Sequence, residues 1–439
     1  MKRRVTVLFG IVLALVLATA CAPRATPTPV PKPTAVPPTA VPPTAKPAEK
    51  IKLTFWNYWD GKNGETIQAL VDRYNKEHPE VEVQNVYIGW GELRTKLLAA
   101  SAGGDVPDAA AGDMAWIPQL VNASAVVELD PYIQKDAVDL NDFYPELLKI
   151  DRYGGKMFAL PVSTNNLELF YNKDIFKAAG LDPEKPPTTW DELVDYAKKC
   201  TDPAKGVYGM ELYTQPGEGL TWQFQVYLWQ AGGDFLTADY TRPAFNSPAG
   251  AKALQFWVDL IQKHKVAPLA QWGLFEKGNA AMRMDGSWMV GIWRDQAPVN
   301  FGVAPMPIPA GGQPATNMGG EHLVVFKTTQ QKQDAAWKFI HWLSSTPTQI
   351  EWDMQTGFTP VRDSVAKSAQ YQQWLTGTEP RLIPFVDNQR HAHARPPIVN
   401  YPEVSDAFSK ELEKALHGSV TVAQGLKNAE DAVIAILQQ

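Results

Sequence analysis

Apolar positions settle into regular spacings from Lys50 onward. Ile51, Leu53 and Phe55 alternate with Lys52 and Thr54, the two-residue period of a strand. After a polar and aromatic loop, Ile67, Leu70, Val71 and Tyr74 recur at helical spacing. Residues 81–88 read as a second strand, and Leu93, Leu97 and Leu98 mark the next helix. Residues 107–113, a run of small residues, predict a short strand opening onto a helix at Trp116. Repeated strand, loop, helix units predict a mostly parallel sheet with helices on its faces. Later helices carry their own start signals: Thr189 with Glu192 forms a capping-box pattern, and Ser247-Pro248 supplies an N-cap and an N1 proline ahead of Leu254, Trp257, Val258 and Ile261. Ala336, Phe339, Ile340 and Leu343 repeat the amphipathic stripe, as do Val404, Phe408, Leu412 and Leu416.

Before Lys50 the pattern is different. Lys2, Arg3 and Arg4 precede an apolar run over residues 5–17 that ends in Ala18-Thr19-Ala20-Cys21, the layout of an export signal. As a helix this run would rise about 20 Å, short of the roughly 30 Å hydrocarbon core, so a cleaved signal over residues 1–20 is expected rather than a span. A cysteine directly after Ala18-Thr19-Ala20 resembles the lipobox of bacterial lipoproteins, although Leu17 stands one position farther from the cysteine than that box puts its leucine. The resemblance implies that Cys21 is lipidated; an ordinary signal with an incidental cysteine is the alternative. Residues 21–49 then form a Pro-rich tether that repeats Thr-Ala-Val-Pro-Pro at Thr34 and Thr39. As polyproline II, about 28 residues at about 3.1 Å each would reach roughly 85 Å, holding the rest of the chain off a membrane.

Composition narrows the function. With 439 residues, 45% hydrophobic and 20% charged, the chain can bury a sizeable core, and its length allows two or three domains. The formal charge is −6 and the basic residues are scattered, which argues against nucleic acid as a partner. Two cysteines, Cys21 and Cys200, are too few for a disulfide framework, and Cys200 reads as a buried structural thiol. No segment after residue 20 is long and apolar enough for a bilayer, so a soluble body is expected. No phosphate-binding Gly-rich loop, Cys-x-x-Cys, His-Glu-x-x-His or Gly-x-Ser-x-Gly stands at a strand-to-helix junction. His391 and His393 lack nearby cysteines, and a polar loop is the reading preferred to a metal site. No cofactor and no metal are expected.

Fifteen tryptophans are many for an acidic protein. Flat indole faces stack on the C–H faces of sugar rings while Asp, Asn, Glu and Arg bond hydroxyls. Core or hinge packing is the competing reading for each. Ligands in open α/β sheets bind beyond the carboxyl ends of strands. That rule favours Trp59 and Asp60 after the first strand and Asp113 and Trp116 after the third, whereas Trp257 and Trp337 sit within periodic helices and are expected in the core.

Motifs along the chain complete the picture. Gly155-Lys156-Met157-Phe158-Ala159-Leu160-Pro161-Val162, Leu169-Phe170-Tyr171-Asn172-Lys173-Asp174, Ala179-Gly180-Leu181 and Pro187-Thr188-Thr189-Trp190-Asp191-Glu192-Leu193 follow in order. With Gly278-Asn279-Ala280-Ala281-Met282, Asp285-Gly286-Ser287-Trp288 and Thr356-Gly357-Phe358-Thr359-Pro360-Val361, this succession resembles family 1 extracellular solute-binding proteins. These are ligand receptors of bacterial ABC importers for sugars, and they include maltose-binding and glycerol-3-phosphate-binding proteins. The resemblance covers residues 50–439 and implies a two-lobed α/β periplasmic-binding-protein fold, type II-like, with the ligand in the interlobe cleft. Lobe one would comprise residues 50–162 and 318–355, lobe two 163–317 and 356–439, with hinge crossings near 161–166, 304–320 and 345–361.

The resemblance further implies a receptor without catalytic activity, acting outside the cytoplasm as a lipid-anchored or periplasmic monomer that closes on a carbohydrate and presents it to an ABC permease. Ligand contacts are expected from Trp59, Asp60, Trp90, Asp113 and Trp116 in lobe one. Asn165, Trp222, Gly286, Trp288, Gly320, Glu321, Phe358 and Arg395 are expected from lobe two and the crossings. The aromatics would stack, Asn165 and the carboxylates would bond hydroxyls, and Gly286 and Gly320 would allow close backbone approach. Arg395 leaves the ligand class open. A guanidinium suits phosphate, as in glycerol-3-phosphate or a glycerophosphodiester, but Phe358 stands where that branch usually has Tyr, and the surrounding carboxylates favour a neutral sugar. Arg395 as a surface or lobe-packing residue, a secreted carbohydrate-active enzyme and a surface scaffold or adhesin are the remaining alternatives.

Overall fold

The structure, a computed structural model, describes residues 49–269 and 272–439. The export signal, Cys21 and nearly all of the tether lie outside the described residues. The account below concerns the unit Ala48–Gln439.

Among the described residues thirteen strands follow in chain order. The first six are β1 (Ile51–Asn57), β2 (Val81–Tyr87), β3 (Ala109–Asp113), β4 (Arg152–Tyr153), β5 (Lys156–Met157) and β6 (Leu160–Pro161). The next four are β7 (Leu167–Asn172), β8 (Tyr208–Glu211), β9 (Ala280–Gly286) and β10 (Phe301–Ala304). The last are β11 (Thr316–Met318), β12 (Glu321–Val325) and β13 (Ala392–Ala394). One sheet runs β2-β1-β3-β12-β6 and a second runs β10-β7-β9-β8. Two short pairs, β11 with β13 and β4 with β5, stand apart from them.

The expected mostly parallel sheet is corrected to two mixed ones. β1 pairs parallel with β2 and β3, but β12 enters antiparallel beside both β3 and β6. In the second sheet β7 runs antiparallel to β9 and β10, and only β8 with β9 is parallel. The reason is that β6, β7, β10 and β12 flank the segments passing between the sheets, so each sheet receives strands that arrive from the other.

Each sheet is buried by the stripes read from the sequence. Ile67, Leu70, Val71 and Tyr74 are the buried face of helix Gly61–Glu77. Phe339 of helix Gln330–Leu343 meets Tyr74 and Phe55 edge-on at 5.0 and 5.1 Å. Beside the second sheet, Phe224 contacts Trp257 at 5.8 Å and Phe408 at 5.6 Å. Trp257 and Trp337 are both buried, as their helical periodicity predicts. The Thr189–Glu192 capping box forms, and Ser247 caps helix Pro248–Val258 through the Gly250 N–H. At residue 116 the expected helix starts as a 3-10 turn, Met114–Trp116, before helix Ile117–Asn122.

Residues 162–166 and 305–320 pass between the two sheets, and residues 357–361 lie beside them. Thr164 bridges Thr359, and Asn165 bridges Gly319. The Thr359 N–H and hydroxyl both donate to the Thr164 carbonyl, and the Thr164 hydroxyl donates to the Gly319 carbonyl. Gly320 is required here: its φ is +141°, and a Cβ would collide with the Ser163 carbonyl on the neighbouring crossing. Among the described residues no helix is long and apolar enough to cross a membrane.

Candidate functional site

β1 and β3 end side by side, and the loops that leave them form one wall of a cavity of about 300 Å³. Trp59, in the loop after β1, is anchored by its N–H to Asn57 Oδ1 and by its ring against Trp352 at 4.6 Å. Trp352 in turn stacks on Phe358 at 5.8 Å, which joins residues 357–361 to the same wall. Trp90 opens helix Trp90–Gly103 and is exposed at the rim with Tyr87. Opposite, Trp222 and Trp288 stack at 5.9 Å with 19° between their planes. Asn165, Gly319, Gly320 and Glu321 supply the floor where the crossings meet.

Two of the cavity's carboxylates, Asp113 and Glu218, are paired with its arginine. Arg395, four per cent exposed, donates from Nη2 to Asp113 Oδ1 at 2.6 Å and from Nη1 to Asp113 Oδ2 at 3.1 Å and Glu218 Oε1 at 3.0 Å. Burial works against its charge, but the carboxylates of Asp113 and Glu218 more than compensate and hold its pKa above the usual arginine value. Glu218 also accepts from the hydroxyls of Tyr401 and Ser405; burial pushes its carboxyl up and Arg395 opposes the shift. Glu321 accepts from Tyr58 Oη at 2.7 Å and from the Ser163 hydroxyl, and burial likewise raises its pKa.

A second set of polar atoms has no partner. The Trp59, Trp222 and Arg395 side chains each bury an N–H (Nε1, Nε1 and Nε), and Asn63 and Asn165 each bury a carbonyl Oδ1 without a hydrogen bond. All five residues line the cavity. Unpaired buried polar atoms cost about 1–3 kcal/mol each, a cost that a ligand both donating and accepting at this cavity would offset.

The family model for bacterial extracellular solute-binding proteins matches residues 58–350. The chain belongs to that family. Its site therefore works outside the cytoplasm, as part of a bacterial ABC importer. This solute-binding protein is 46% identical to the cyclic alpha-maltosyl-1,6-maltose binding protein of Arthrobacter globiformis, whose crystal structure superposes with a TM-score of 0.78 over 89% of this chain and 99% of that one. It is 27% identical over 358 residues to a maltotriose-binding protein of Pyrococcus abyssi, spanning 79% of this chain and 73% of the relative. It is 26% identical over 424 residues to the sn-glycerol-3-phosphate-binding periplasmic protein of Pectobacterium atrosepticum, spanning 88% and 91%. The fold is accordingly the two-lobed one.

Most of the residues singled out from the sequence of this solute-binding protein meet at the cavity: Trp59, Asp60, Trp90, Asp113, Asn165, Trp222, Trp288, Gly320, Glu321, Phe358 and Arg395. Two do not line it. Trp116 is buried behind the wall, where it contacts Tyr58 at 5.7 Å and Trp90 at 6.3 Å and backs the aromatic rim. Gly286 ends β9, and the space its missing Cβ leaves is filled by the ring of Trp288, so it seats that indole. Arg395, far from a surface residue, is buried within the wall. Tyr58, Asn63, Tyr87, Glu218, Gly219, Ile292 and Gly319 also line the cavity and were not singled out. Tyr87 ends β2 and so obeyed the rule that found Asp113; Glu218 gave no signal, because Arg395 is 177 residues away. His393 stacks on Trp229 at 4.7 Å, and among the described residues no cluster of three or more metal-ligating side chains occurs. Cys200 is buried and its thiol is pushed up to about 12 by that burial.

Proposed function

We propose that the cleft captures a neutral carbohydrate, a sugar or oligosaccharide, and presents it unaltered to an ABC permease. The observation that carries this reading is the set of unpartnered N–H and C=O groups between indole walls. A sugar hydroxyl both donates and accepts, and the ring's C–H faces suit stacking, so one ligand class answers both features. Two lobes, 50–162 with 318–355 and 163–317 with 356–439, would close about the crossings. A ligand touching both walls has more contacts in the closed arrangement and shifts the population toward it. Trp59, Trp90, Trp222, Trp288 and Phe358 would pack the rings, while Asn165 and the remaining polar groups would bond hydroxyls. A relative that binds maltotriose and another that binds a cyclic maltose dimer support the class.

Catalysis is not part of the reading, because Asp113 and Glu218 are engaged by Arg395 and Glu321 by Tyr58 and Ser163, leaving no free pair of carboxylates to act as acid and base. Lipidation at Cys21 and monomeric behaviour complete the proposal. Native mass spectrometry of freshly purified protein, followed by chromatography of the released solute, is the test. A mass increment equal to an intact sugar supports the reading. A phosphate ester released from the protein, or hydrolysed sugar after incubation, counts against it. Glycerol-3-phosphate stays the second reading because one relative carries that name and a guanidinium lines the cleft.

A further inference from the structure

Arg395 is, among the described residues, the one cationic side chain lining the cleft, against Asp60, Asp113, Glu218 and Glu321. It is held from two sides. Asp113 ends β3 of the first sheet and is itself fixed, since its Oδ1 accepts the Ala115 N–H at 2.9 Å. Glu218 opens helix Glu218–Gln230, whose Gln223 side chain donates to the Met284 carbonyl in β9 of the second sheet. Hydrogen bonds from Tyr401 and Ser405 fix Glu218 in turn. Three of the five N–H bonds of the guanidinium are therefore directed at carboxylates. Its plane also lies over the Trp222 ring, 5.7 Å from the centroid. An anion seeking the end-on edge of Arg395 must displace Asp113 and strip that buried carboxylate of its counter-charge, while one at the open side-on edge, Nε with the second Nη2 N–H, meets a guanidinium whose single charge Asp113 and Glu218 already outweigh. A neutral hydroxyl needs only the unpartnered Nε–H, which the pairing leaves free.

We propose that Asp113 and Glu218 are specificity determinants: by engaging Arg395 across the cleft they withhold it from anionic solutes and confine the site to neutral ones. This rests on the carbohydrate reading of the same cleft. It is discrimination by a repulsive element, in which the competitor is refused through the uncompensated charge it would create.

The test is calorimetric titration of sn-glycerol 3-phosphate and maltotriose into the wild type, Asp113→Asn and Glu218→Gln, at about 20 and about 300 mM salt. Asparagine at 113 keeps an oxygen for the Ala115 N–H while removing the charge. The wild type should take maltotriose and give no heat with the phosphate ester. Asp113→Asn should bind the phosphate ester at least about tenfold more tightly than the wild type, with the gain shrinking at the higher salt. Glu218→Gln should gain less, because it releases one N–H, and Asp113→Asn combined with Arg395→Met should lose the gain. Thermal unfolding checks that each variant is folded; if Asp113→Asn is not, Glu218→Gln decides. Absence of any phosphate gain in the folded variants overturns the proposal, as does wild-type phosphate binding that Arg395→Met abolishes. A wild type that ignores every neutral sugar would sink the carbohydrate reading instead, while the ranking of phosphate affinities would still judge this one.

Discussion

Replacing Glu168 with Gln should change how stability depends on pH. Glu168 lies in β7, immediately after the first crossing, and is fully buried. Its Oε2 accepts the Met306 N–H at 2.8 Å and its Oε1 accepts from Asn388 Nδ2 at 2.7 Å, but among the described residues no cation pairs with it. Burial pushes its pKa from 4.5 up to about 8, against the pull of those two hydrogen bonds. The folded state therefore binds this proton more tightly than the unfolded chain does. Stability is unaffected by the group below about pH 4.5, falls as pH rises through the interval, and has lost its full amount above about pH 8. A displacement of about 3.5 pH units at about 1.4 kcal/mol each makes that loss roughly 5 kcal/mol, taken as an upper figure. Glutamine has the same shape and no charge, and a rotated Asn388 amide can accept from its NH₂ while Met306 donates to its oxygen. The assay is urea unfolding of both proteins between about pH 5 and about pH 9, where every other titrating group cancels in the difference. Glu168→Gln should gain on the wild type steadily with pH, by several kcal/mol across the range. A difference that stays flat, or moves the other way, would refute the reasoning.

Other outcomes follow from named contacts. Trp222→Ala removes one half of the stacked pair and should weaken maltotriose binding by about 10- to 30-fold in calorimetry, with the unfolding midpoint little changed. Gly320→Ala places a Cβ against the Ser163 carbonyl at a φ of +141°, so urea unfolding should show a loss of about 2–4 kcal/mol; unaltered stability would contradict the packing of the crossings. In a chain carrying Cys21→Ser, Cys200 should resist a thiol reagent in the native protein at pH 8 and react once unfolded, since burial holds the thiol protonated.

Local signals in the sequence proved reliable where the cause was itself local. The alternation at Ile51, Leu53 and Phe55, the stripe from Ile67 to Tyr74 and the Thr189–Glu192 box each concern residues within one element, and each formed. Pairing between distant strands was not legible: β12 lies against β3 across some two hundred residues, and periodicity identifies a strand without naming its neighbour. The site divides the same way. Trp59, Asp60 and Asp113 were found because they follow strand ends, which is a positional rule. Glu218 was missed because its meaning lies in a partner elsewhere in the chain, Arg395, whereas Tyr58 directly follows β1 and obeyed the same positional rule as Trp59. Trp116 and Gly286 show the limit of the rule: residues close to a site in sequence can support it from behind, one as backing for the rim and one as a seat for an indole.

Calorimetric titration of the wild type with a panel of neutral sugars that includes maltotriose, beside sn-glycerol 3-phosphate, tests the central claim most directly. The account predicts one saturable, stoichiometric heat from a neutral carbohydrate, with the sugar recovered intact. Heat from the phosphate ester alone, with none from any neutral sugar, would contradict it.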